Sequence, residues 1–192
     1  MNLKGKKVTL RAVEESDLGM LQELTNSPDF EKMIVGWSFA VSAKDQAEWF
    51  KNCKQGLDRL RFTIVTEEDG AVGMIGLRSI DWKNGSAVGL GMRIAKTNLR
   101  TRGLATDAWM TLFRYAFDEL RLNRIVGSYI EYNKASARVC EKVGFKVEGI
   151  QREAVYKNGK FHNVYSLGCL KSDYEALIAK NNYWDDNNEN KQ

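Results

Sequence analysis

The feature that most constrains this chain is the stretch RTRGLA at residues 100–105. It follows an alternating apolar run at 86–95 and precedes a long helical pattern that starts near Gly103. The first amides of a helix have no partner inside the helix, and the positive end of the helix dipole lies behind them. A strand, a basic glycine turn and a helix N-terminus together predict a phosphate-binding turn.

The residue types within this turn suit a pyrophosphate. Gly103 lets the backbone approach a ligand closely, Ala105 keeps the first turn narrow, and Arg100 and Arg102 add positive charge. The spacing Arg-x-x-Gly-x-Ala is common enough that it identifies nothing alone. The alternative is a basic loop that only caps a surface helix, so the rest of the chain must decide.

Length and composition predict one domain in the cytoplasm. With 192 residues and 43% hydrophobic content, the chain is long enough for one full core and short for two. We expect a single domain over 1–184 and a polar, disordered tail over 185–192. No run approaches the length of a membrane span, and no apolar signal core follows the basic first residues, so no membrane partner is expected.

Charge and metal-ligating residues argue against two other classes of protein. The net charge of +4 is mild and dispersed, which gives no support to nucleic-acid binding. The only histidine is His162, and no metal site is expected. The three cysteines form no C-x-x-C pair and are expected to be free thiols: Cys53, Cys140 and Cys169.

Periodicity predicts an α/β protein with a mixed, mostly antiparallel, twisted sheet of about seven strands. Strands are predicted at 8–11, 61–66, 72–80, 87–94, 124–130, from Phe145 onward, and from Lys160 to near Leu170. Helices are predicted after Ser16, Ser42, Gly103 and Asn133, with a capping box from Ser172 to Glu175 opening the last one. The strands at 87–94 and 124–130 are joined by a helical crossover, so we expect them to be parallel.

Two nucleotide-binding classes are disfavoured by their motifs. A dinucleotide oxidoreductase needs G-x-G-x-x-G after its first strand, whereas Gly89 and Gly91 lie within a strand pattern and lack the third glycine. A P-loop nucleotidase needs G-x-x-x-x-G-K-[ST], which the sequence does not contain.

Three stretches together resemble the GNAT N-acetyltransferases, which transfer an acetyl group from acetyl-CoA to an amine. The turn at 100–105 resembles that family's pyrophosphate signature, and NKAS at 133–136 with KVGF at 142–145 resembles its second cofactor segment. The resemblance covers nearly the whole chain. It implies the GNAT fold, with helices on both faces of the sheet and a splay between the two central parallel strands.

Further stretches narrow the resemblance to the RimJ/RimL-like branch of the family. These are EGIQREA at 148–154, KNGK at 157–160 and YSL at 165–167. That branch includes enzymes that acetylate the N-termini of ribosomal proteins, and relatives that act on other amines. Members commonly have an aspartate where this sequence has Asn163 after His162, so an acceptor ammonium that relied on this charge would be held less tightly.

The resemblance implies where acetyl-CoA binds. The pantetheine arm pairs with the backbone next to the splay, the pyrophosphate lies on the amides of the glycine turn, and Asn133 donates to a pantetheine carbonyl. Arg138 and Lys142 are candidates for the adenine end, with solvated helix charges as the alternative. The implied cofactor residues are Met92, Arg93, Ile94, Arg100, Thr101, Arg102, Gly103, Leu104, Ala105, Thr106, Asn133, Ser136 and Arg138.

Two residues are predicted to assist the transfer. Ser136 lies near the expected position of the cofactor sulfur and could donate to the leaving thiolate, although such a serine often bonds the backbone instead. Glu153 is the predicted general base, directly or through a water, with a structural pair to a neighbouring strand as the alternative. Glu148 and Tyr132 are the second choices.

The acceptor and the assembly are less constrained. The α-amine of a peptide or protein is the first expectation, and a polyamine or another small amine is the second. A non-catalytic acyl-CoA sensor on the same fold is a further alternative. A homodimer is expected from Trp37, Trp49, Trp82 and Trp184, which are predicted to lie in surface elements.

Overall fold

The computed structural model describes residues 1–95, 99 and 101–185. Arg100 and all of the predicted tail except Asp185 lie outside the described residues. The described strands are β1 (Leu3–Lys4), β2 (Thr9–Arg11), β3 (Arg59–Thr66), β4 (Gly70–Asp81), β5 (Ser86–Gly89), β6 (Arg93–Ile94), β7 (Arg124–Ile130), β8 (Lys146–Lys157) and β9 (Lys160–Leu170). The described helices are α1 (Leu18–Thr25), α2 (Pro28–Glu31), α3 (Ala43–Lys51), α4 (Leu104–Arg114), α5 (Lys134–Lys142) and α6 (Lys171–Asn181).

The strands form one mixed sheet in the order β1-β2-β3-β4-β5-β7-β9-β8, and β6 pairs with β4. Strands β5 and β7 are parallel and every other described pair is antiparallel, which confirms the predicted class and the predicted parallel pair. Nine described strands replace the expected seven, because the short β1 precedes the predicted first strand and the predicted strand 87–94 is broken into β5 and β6.

One face of the sheet packs on α4 and forms the main core. The helix presents an apolar stripe that is fully buried, including Ala108, Leu112 and Phe113, against strand residues such as Ile75 and Leu77. A single π-helical turn, Tyr115–Glu119, extends α4, and Tyr174 of α6 packs edge-on to Phe113.

The opposite face of the sheet carries α1, α2 and α3. Phe62 and Ile64 of β3 lie in the main core, so the intervening Thr63 must point to the other face. Its hydroxyl donates to Asp17, immediately before α1, at 2.7 Å. On the same face Arg61 lies over the ring of Trp49 in α3. Helices therefore cover both faces, as predicted.

Two predicted caps are wrong in detail. The residue that precedes α1 is Asp17 rather than Ser16, because a short 3-10 turn, Glu15–Asp17, leads into the helix. The last helix begins at Lys171, where the N–H of Leu170 donates to Asp173 at 3.0 Å, so Ser172 and Glu175 do not form its capping box. The predicted cap of α3 is confirmed, since the Ser42 hydroxyl accepts from the Asp45 N–H.

In the part of the chain that the structure describes, no helix is long and apolar enough to cross a bilayer.

Candidate functional site

The predicted phosphate-binding turn leads into α4, and its backbone is unusual. Gly103 precedes the helix with a φ of +80°, and Thr101 two residues earlier has a φ of +79°. A β-branched residue rarely adopts such a φ, and strain of this kind is concentrated at functional sites. The N–H groups of Ala105 and Thr106 have no hydrogen-bond acceptor among the described residues. The turn thus leaves free donors at the positive end of α4, which suits a phosphate.

Lys7 stands over this turn, although sequence analysis did not identify it. Its ammonium donates to the carbonyl of Arg102 at 3.2 Å and lies 3.6 Å from where a Cβ on Gly103 would be. The guanidinium of Arg102 is occupied by Asp69, at 2.8 Å, and by Glu68. Lys7 therefore supplies a cation at the turn, while the side chain of Arg102 fixes the turn to the β3–β4 hairpin.

A buried carboxylate in α4 holds Lys7 in place. Asp107 is 1% exposed and accepts four hydrogen bonds, from the N–H groups of Lys6, Lys7 and Val8 and from the hydroxyl of Tyr183. The three N–H donors lie about a hundred positions from Asp107 in the chain, and Tyr183 lies 76 positions from it. The β1–β2 turn and the first turn of α4 are consequently fixed to each other.

The predicted splay lies beside this turn. Strand β5 pairs with both β4 and β7, but the chain then turns through Leu90 and Gly91, where Gly91 has a φ of +78°. Beyond this break β6 pairs only with β4, and residues 127–130 of β7 pair only with β9 among the described strands. The sheet opens into a gap between β6 and the second half of β7.

The three residues expected to pair with a pantetheine arm lie on one wall of this gap. Arg93 and Ile94 form β6, and Met92 precedes it, half-buried against the core. Gly73 allows β6 to approach β4, because a Cβ there would come within 1.9 Å of the Arg93 carbonyl oxygen. The unpaired backbone edge of β6 faces the gap, so the geometry allows these residues to pair with a pantetheine arm, as predicted.

The loop after α2 is bonded to the residues that follow β7, on the other side of the gap from β6. The hydroxyl of Tyr132 donates to the carbonyl of Lys32, and the amide of Asn133 donates to the carbonyl of Met33 at 3.0 Å. The side-chain oxygen of Asn133 caps α5 by accepting from the N–H of Ser136 at 3.0 Å. Asn133 therefore has one amide hydrogen left for the predicted pantetheine contact.

A buried lysine at the end of β8 also holds this loop in place. The side chain of Lys157 is 8% exposed, and its ammonium bonds the carboxylate of Glu31 and donates to the carbonyl of Gly36 at 3.0 Å. These partners lie more than 120 residues away in sequence, so no local pattern indicated the contact.

A carboxylate and the histidine meet at the end of β7, where sequence analysis predicted no functional pair. Glu131 directly follows β7, and its Oε1 lies 3.0 Å from Nδ1 of His162. The hydrogen bond from His162 lowers the pKa of Glu131, with a smaller contribution from the Asn163 N–H. His162 is 6% exposed, and its Nε2 lies 3.2 Å from the carbonyl of Lys157. This ionised carboxylate adjoins the gap.

The predicted base Glu153 lies farther across the sheet. It sits in a bulge of the edge strand β8 with a φ of +49°, and its N–H donates to the side-chain oxygen of Asn163 at 2.9 Å. Strand β9 separates β8 from β7, which puts its backbone roughly 10 Å from β7. An open depression lined by Arg152, Glu153 and Asn163 adjoins it. The second-choice Glu148 is paired with Arg124.

The remaining predicted residues lie on α5. Ser136 is half-buried in its first turn, and the structure does not join it to Glu153 by a hydrogen bond. Burial raises the pKa of the neighbouring Cys140 thiol to about 11, and a hydrogen bond from Ser136 opposes this shift. Arg138 and Lys142 are exposed and have no ion-pair partner among the described residues. They remain available for the adenine end of a cofactor.

Within the described ranges, no three histidine, cysteine, aspartate or glutamate side chains group so that they could hold a metal ion.

Comparison with known families and proteins agrees with this geometry. The family model described as an acetyltransferase (GNAT) domain matches residues 7–146. A Bacillus subtilis protein named "Putative ribosomal N-acetyltransferase YdaF" is 30% identical over 176 residues, which is 88% of this chain and 94% of the relative. The spermidine N(1)-acetyltransferase of Vibrio cholerae is 25% identical over 170 residues, 88% of this chain and 95% of the relative.

Solved structures share the fold. The spermidine N-acetyltransferase of Vibrio cholerae, in complex with CoA and spermine, superimposes with a TM-score of 0.79 at 23% identity. The match covers 88% of this chain and 98% of that one.

Proposed function

Because the chain belongs to the GNAT family of acetyl-CoA-dependent N-acetyltransferases, we propose that it transfers the acetyl group to the α-amine of a peptide or protein. The observation that carries the cofactor half of this proposal is the strained turn at Thr101 and Gly103, with free α4 amides and the Lys7 ammonium beside it. The gap between β6 and β7 leads directly from that turn, so a pantetheine arm bound there would place its thioester between the two strands.

The transfer is proposed to be direct, without an acetylated cysteine. Burial raises the pKa of Cys140 to about 11 and that of Cys169 to about 12, and burial also raises the pKa of Cys53. Only the thiolate is a good nucleophile, so at neutral pH these thiols would attack a thioester poorly. An amine that enters the gap is the more competent nucleophile.

The proposed transfer is a direct attack of the amine on the thioester. The neutral amine nitrogen attacks the thioester carbonyl, the C–N bond forms, the C–S bond breaks, and CoA leaves as a thiolate. The amine gives up one proton and the thiolate takes one, so the products are an amide and free CoA thiol. We assign the proton acceptor to Glu153, which lies across β9 from the gap and acts directly or through a water, with Glu131, the carboxylate that adjoins the gap, as the alternative. The thiolate donor is assigned to Ser136.

An α-amine suits a site with a weak base. Its pKa of about 7.7 to 8.0 leaves on the order of a tenth of the molecules neutral near pH 7, whereas an alkyl amine near 10.4 is neutral in only about one molecule in a few thousand. The identity to a relative named for ribosomal acetylation also favours this acceptor.

A polyamine is the second candidate. The similarity to the Vibrio cholerae spermidine enzyme favours it, since that relative is aligned over 88% of this chain. A polycation would have to be held by carboxylates. Around the gap, however, Glu31 is paired with Lys157 and Glu131 with His162.

Thiol release from acetyl-CoA tests the acceptor. The panel contains peptides with free N-termini, the same peptides with blocked N-termini, spermidine and an aminoglycoside. Release with the free peptides and not with the blocked ones is expected. Release with spermidine alone would overturn the proposed acceptor, and release with none of the amines would leave the acyl-CoA sensor as the function.

A further inference from the structure

Four arginines share the sheet face opposite the core. Residue pairing joins Arg59 to Arg78 between β3 and β4, Arg61 to Gly76 on the same two strands, and Met74 of β4 to Arg93 of β6. Directly paired residues of neighbouring strands point to the same face. The intervening Leu60, Phe62, Ile75 and Leu77 pack in or against the main core. The arginine face is defined here as Arg59, Arg61, Arg78 and Arg93.

The charges on this face are not compensated. None of the four arginines has a carboxylate within ion-pair distance among the described residues. Arg59 and Arg78 are directly opposite each other, an arrangement of like charges that is unfavourable without a counter-ion. The Nε of Arg59 is buried and has no hydrogen-bond partner in the described structure. A buried unpaired donor costs on the order of 1–3 kcal/mol.

Two of these guanidinium groups are positioned by aromatic rings instead of carboxylates. Arg93 lies over the ring of Phe30 at 4.9 Å, and burial lowers its pKa. Arg61 lies over the ring of Trp49 at 5.5 Å, and its Nη1 is 3.7 Å from the sulfur of Cys53. Cation–π contacts orient a guanidinium without using all of its N–H donors. Both side chains therefore keep donors for an external anion.

Two carboxylates at the covering helices are bonded to other residues. Asp17, before α1, is paired with Arg11 at 2.7 Å and bonds Thr63. Glu31, at the end of α2, is paired with Lys157. Neither carboxylate therefore neutralises the arginine face.

The arginine face adjoins the reaction gap. Leu90, at the break between β5 and β6, donates its N–H to the carbonyl of Gly76 at 2.9 Å, and its side chain would touch a Cβ on Gly76 at 3.0 Å. On the other face the ring of Trp109 closes the sheet, 2.7 Å from where a Cβ on Gly89 would be. Because the core side of the sheet is closed at Gly89, we place the acceptor on the arginine face, where the four arginines are half-buried or exposed.

We propose that the arginine face is an anion-binding site for the acceptor, and that the substrate is a peptide with carboxylates in the first few residues after its free α-amine. The inference rests on the proposed function, because it places the α-amine in the gap. Arg61 lies two strands from Leu90, a backbone separation of roughly 10 Å, which an extended chain covers in about three residues. Guanidinium groups bind carboxylates through paired hydrogen bonds, and the same charges repel a polyamine.

The test compares two peptides that differ only in charge, Ser-Glu-Asp-Ala-Trp and Ser-Gln-Asn-Ala-Trp, both amidated at the C-terminus. The kcat/KM of thiol release is measured for the wild type, for the double variant Arg61→Gln/Arg93→Gln and for the exposed single variant Arg78→Gln. The matched control is Arg121→Gln. This exposed arginine lies two residues after the π turn that extends α4, at the end of the helix opposite Gly103. Thermal unfolding of each variant identifies any that fails to fold. If the double variant fails to fold, Arg78→Gln still tests the anion site.

The wild type is expected to prefer the acidic peptide at least tenfold, mainly through KM, and this preference should weaken as salt is added. The double variant should lose most of the preference, Arg78→Gln part of it, and Arg121→Gln none. Equal kcat/KM for the two peptides in the wild type, or a preference that survives in both arginine-face variants, would overturn the anion site and leave the proposed function intact. Turnover of spermidine with neither peptide used would overturn the proposed function and the anion site together.

Discussion

Asp107 links the cofactor turn to the start of the chain through one carboxylate. Its four hydrogen bonds fix three consecutive N–H groups of the β1–β2 turn against α4, and they place Lys7 over Gly103. Hydrogen bonds to a buried charge are among the stronger ones in a protein, at about 1.5–3 kcal/mol each. Stability and cofactor binding therefore depend on the same residue.

Replacing this carboxylate is expected to weaken both properties. Asp107→Asn keeps the shape but removes the charge and puts an amide N–H where an acceptor is needed, so the free energy of unfolding should fall by about 1–3 kcal/mol. Acetyl-CoA should also bind several-fold more weakly, because Lys7 loses its fixed position. Chemical denaturation and calorimetry measure the two effects. Asp118→Asn, an exposed position beyond α4, is the control, and equal behaviour of the two variants would contradict the role of Asp107.

The proton acceptor is tested by the pH dependence of three single variants, Ser136→Ala, Glu153→Gln and Glu131→Gln. Protonation of the α-amine itself lowers kcat/KM below about pH 8 in every variant. A base must also be deprotonated to work, so kcat/KM falls further as pH drops through the pKa of the base, and removing the base abolishes this second acidic limb. The lowered pKa of Glu131 puts its limb at lower pH than that of an ordinary carboxyl. We expect the limb to be lost in Glu153→Gln, and kcat to fall in Ser136→Ala with the profile unchanged. Loss of the limb in Glu131→Gln alone would reassign the base.

The break between β5 and β6 is the element that makes the site. It depends on two glycines: Gly91 turns the chain with a positive φ, and Gly73 lets β6 approach β4 so closely that a Cβ there would lie 1.9 Å from the Arg93 carbonyl oxygen. The result is a strand that pairs on one side only and leaves its other edge for a ligand.

A side chain at Gly73 should disable the enzyme, because it prevents the close contact between β6 and β4. Gly73→Ala would place a Cβ 1.9 Å from the carbonyl oxygen of Arg93, so β6 must move away from β4. We expect a loss of about 1–3 kcal/mol of stability and a larger loss of kcat/KM, because the displaced strand forms one wall of the gap. Gly149→Ala in β8 is the control, since nothing lies within 4 Å of its Cβ position. Unchanged turnover in Gly73→Ala would remove β6 from the cofactor site.

The sequence predicted most elements, and the misses have physical causes. Alternation identified the strand at 124–130, and the C-terminal glycine cap at Gly144 identified the end of α5, because both are local signals. The same alternation continues through 87–94, so it could not show that the pairing with β7 is lost beyond Gly91 while the pairing with β4 resumes. The bulge at Glu153 likewise interrupts the regular pairing of β8 with β9, which local alternation could not show.

The long-range contacts that complete the site could not be predicted from local sequence patterns. Lys7 reaches Arg102 across 95 positions, and Lys157 reaches Glu31 across 126, so neither contact has a spacing that could be recognised. The pair of Glu131 and His162 is closer, at 31 positions, but depends on the register of β7 and β9. The run of lysines near the N-terminus was the one signal that could have drawn attention to Lys7.

At the scale of the whole molecule, exposed apolar side chains support the expected homodimer. Of the four tryptophans that suggested it, Trp37 is 80% exposed and Trp82 is 46% exposed. Trp49 and Trp184 are half-buried instead, the former beneath Arg61 and the latter bonded to Tyr174. The edge hairpin of β8 and β9 adds four more exposed apolar residues, Val147, Ile150, Tyr156 and Phe161. Exposed edges and apolar patches of this kind are typical of interfaces.

Light scattering tests the assembly. A homodimer has twice the chain mass of 21.9 kDa, and we expect this mass at micromolar concentration. Ile150→Glu should shift the population towards the monomer, because a charge at an apolar contact is desolvated without a partner. A wild-type monomer at these concentrations would reject the dimer.

The central claim is that acetyl-CoA binds with its pyrophosphate on the turn before α4. The most direct test is calorimetric titration of acetyl-CoA into Gly103→Val and Gly159→Val. Both glycines have a φ near +80°, so both substitutions cause similar backbone strain, but Gly159 lies in the β8–β9 turn. We expect Gly103→Val to weaken binding at least tenfold, about 1.4 kcal/mol, because its side chain covers the amides and displaces Lys7. Gly159→Val should bind as the wild type does. Equal affinity in Gly103→Val and the wild type would contradict the claim.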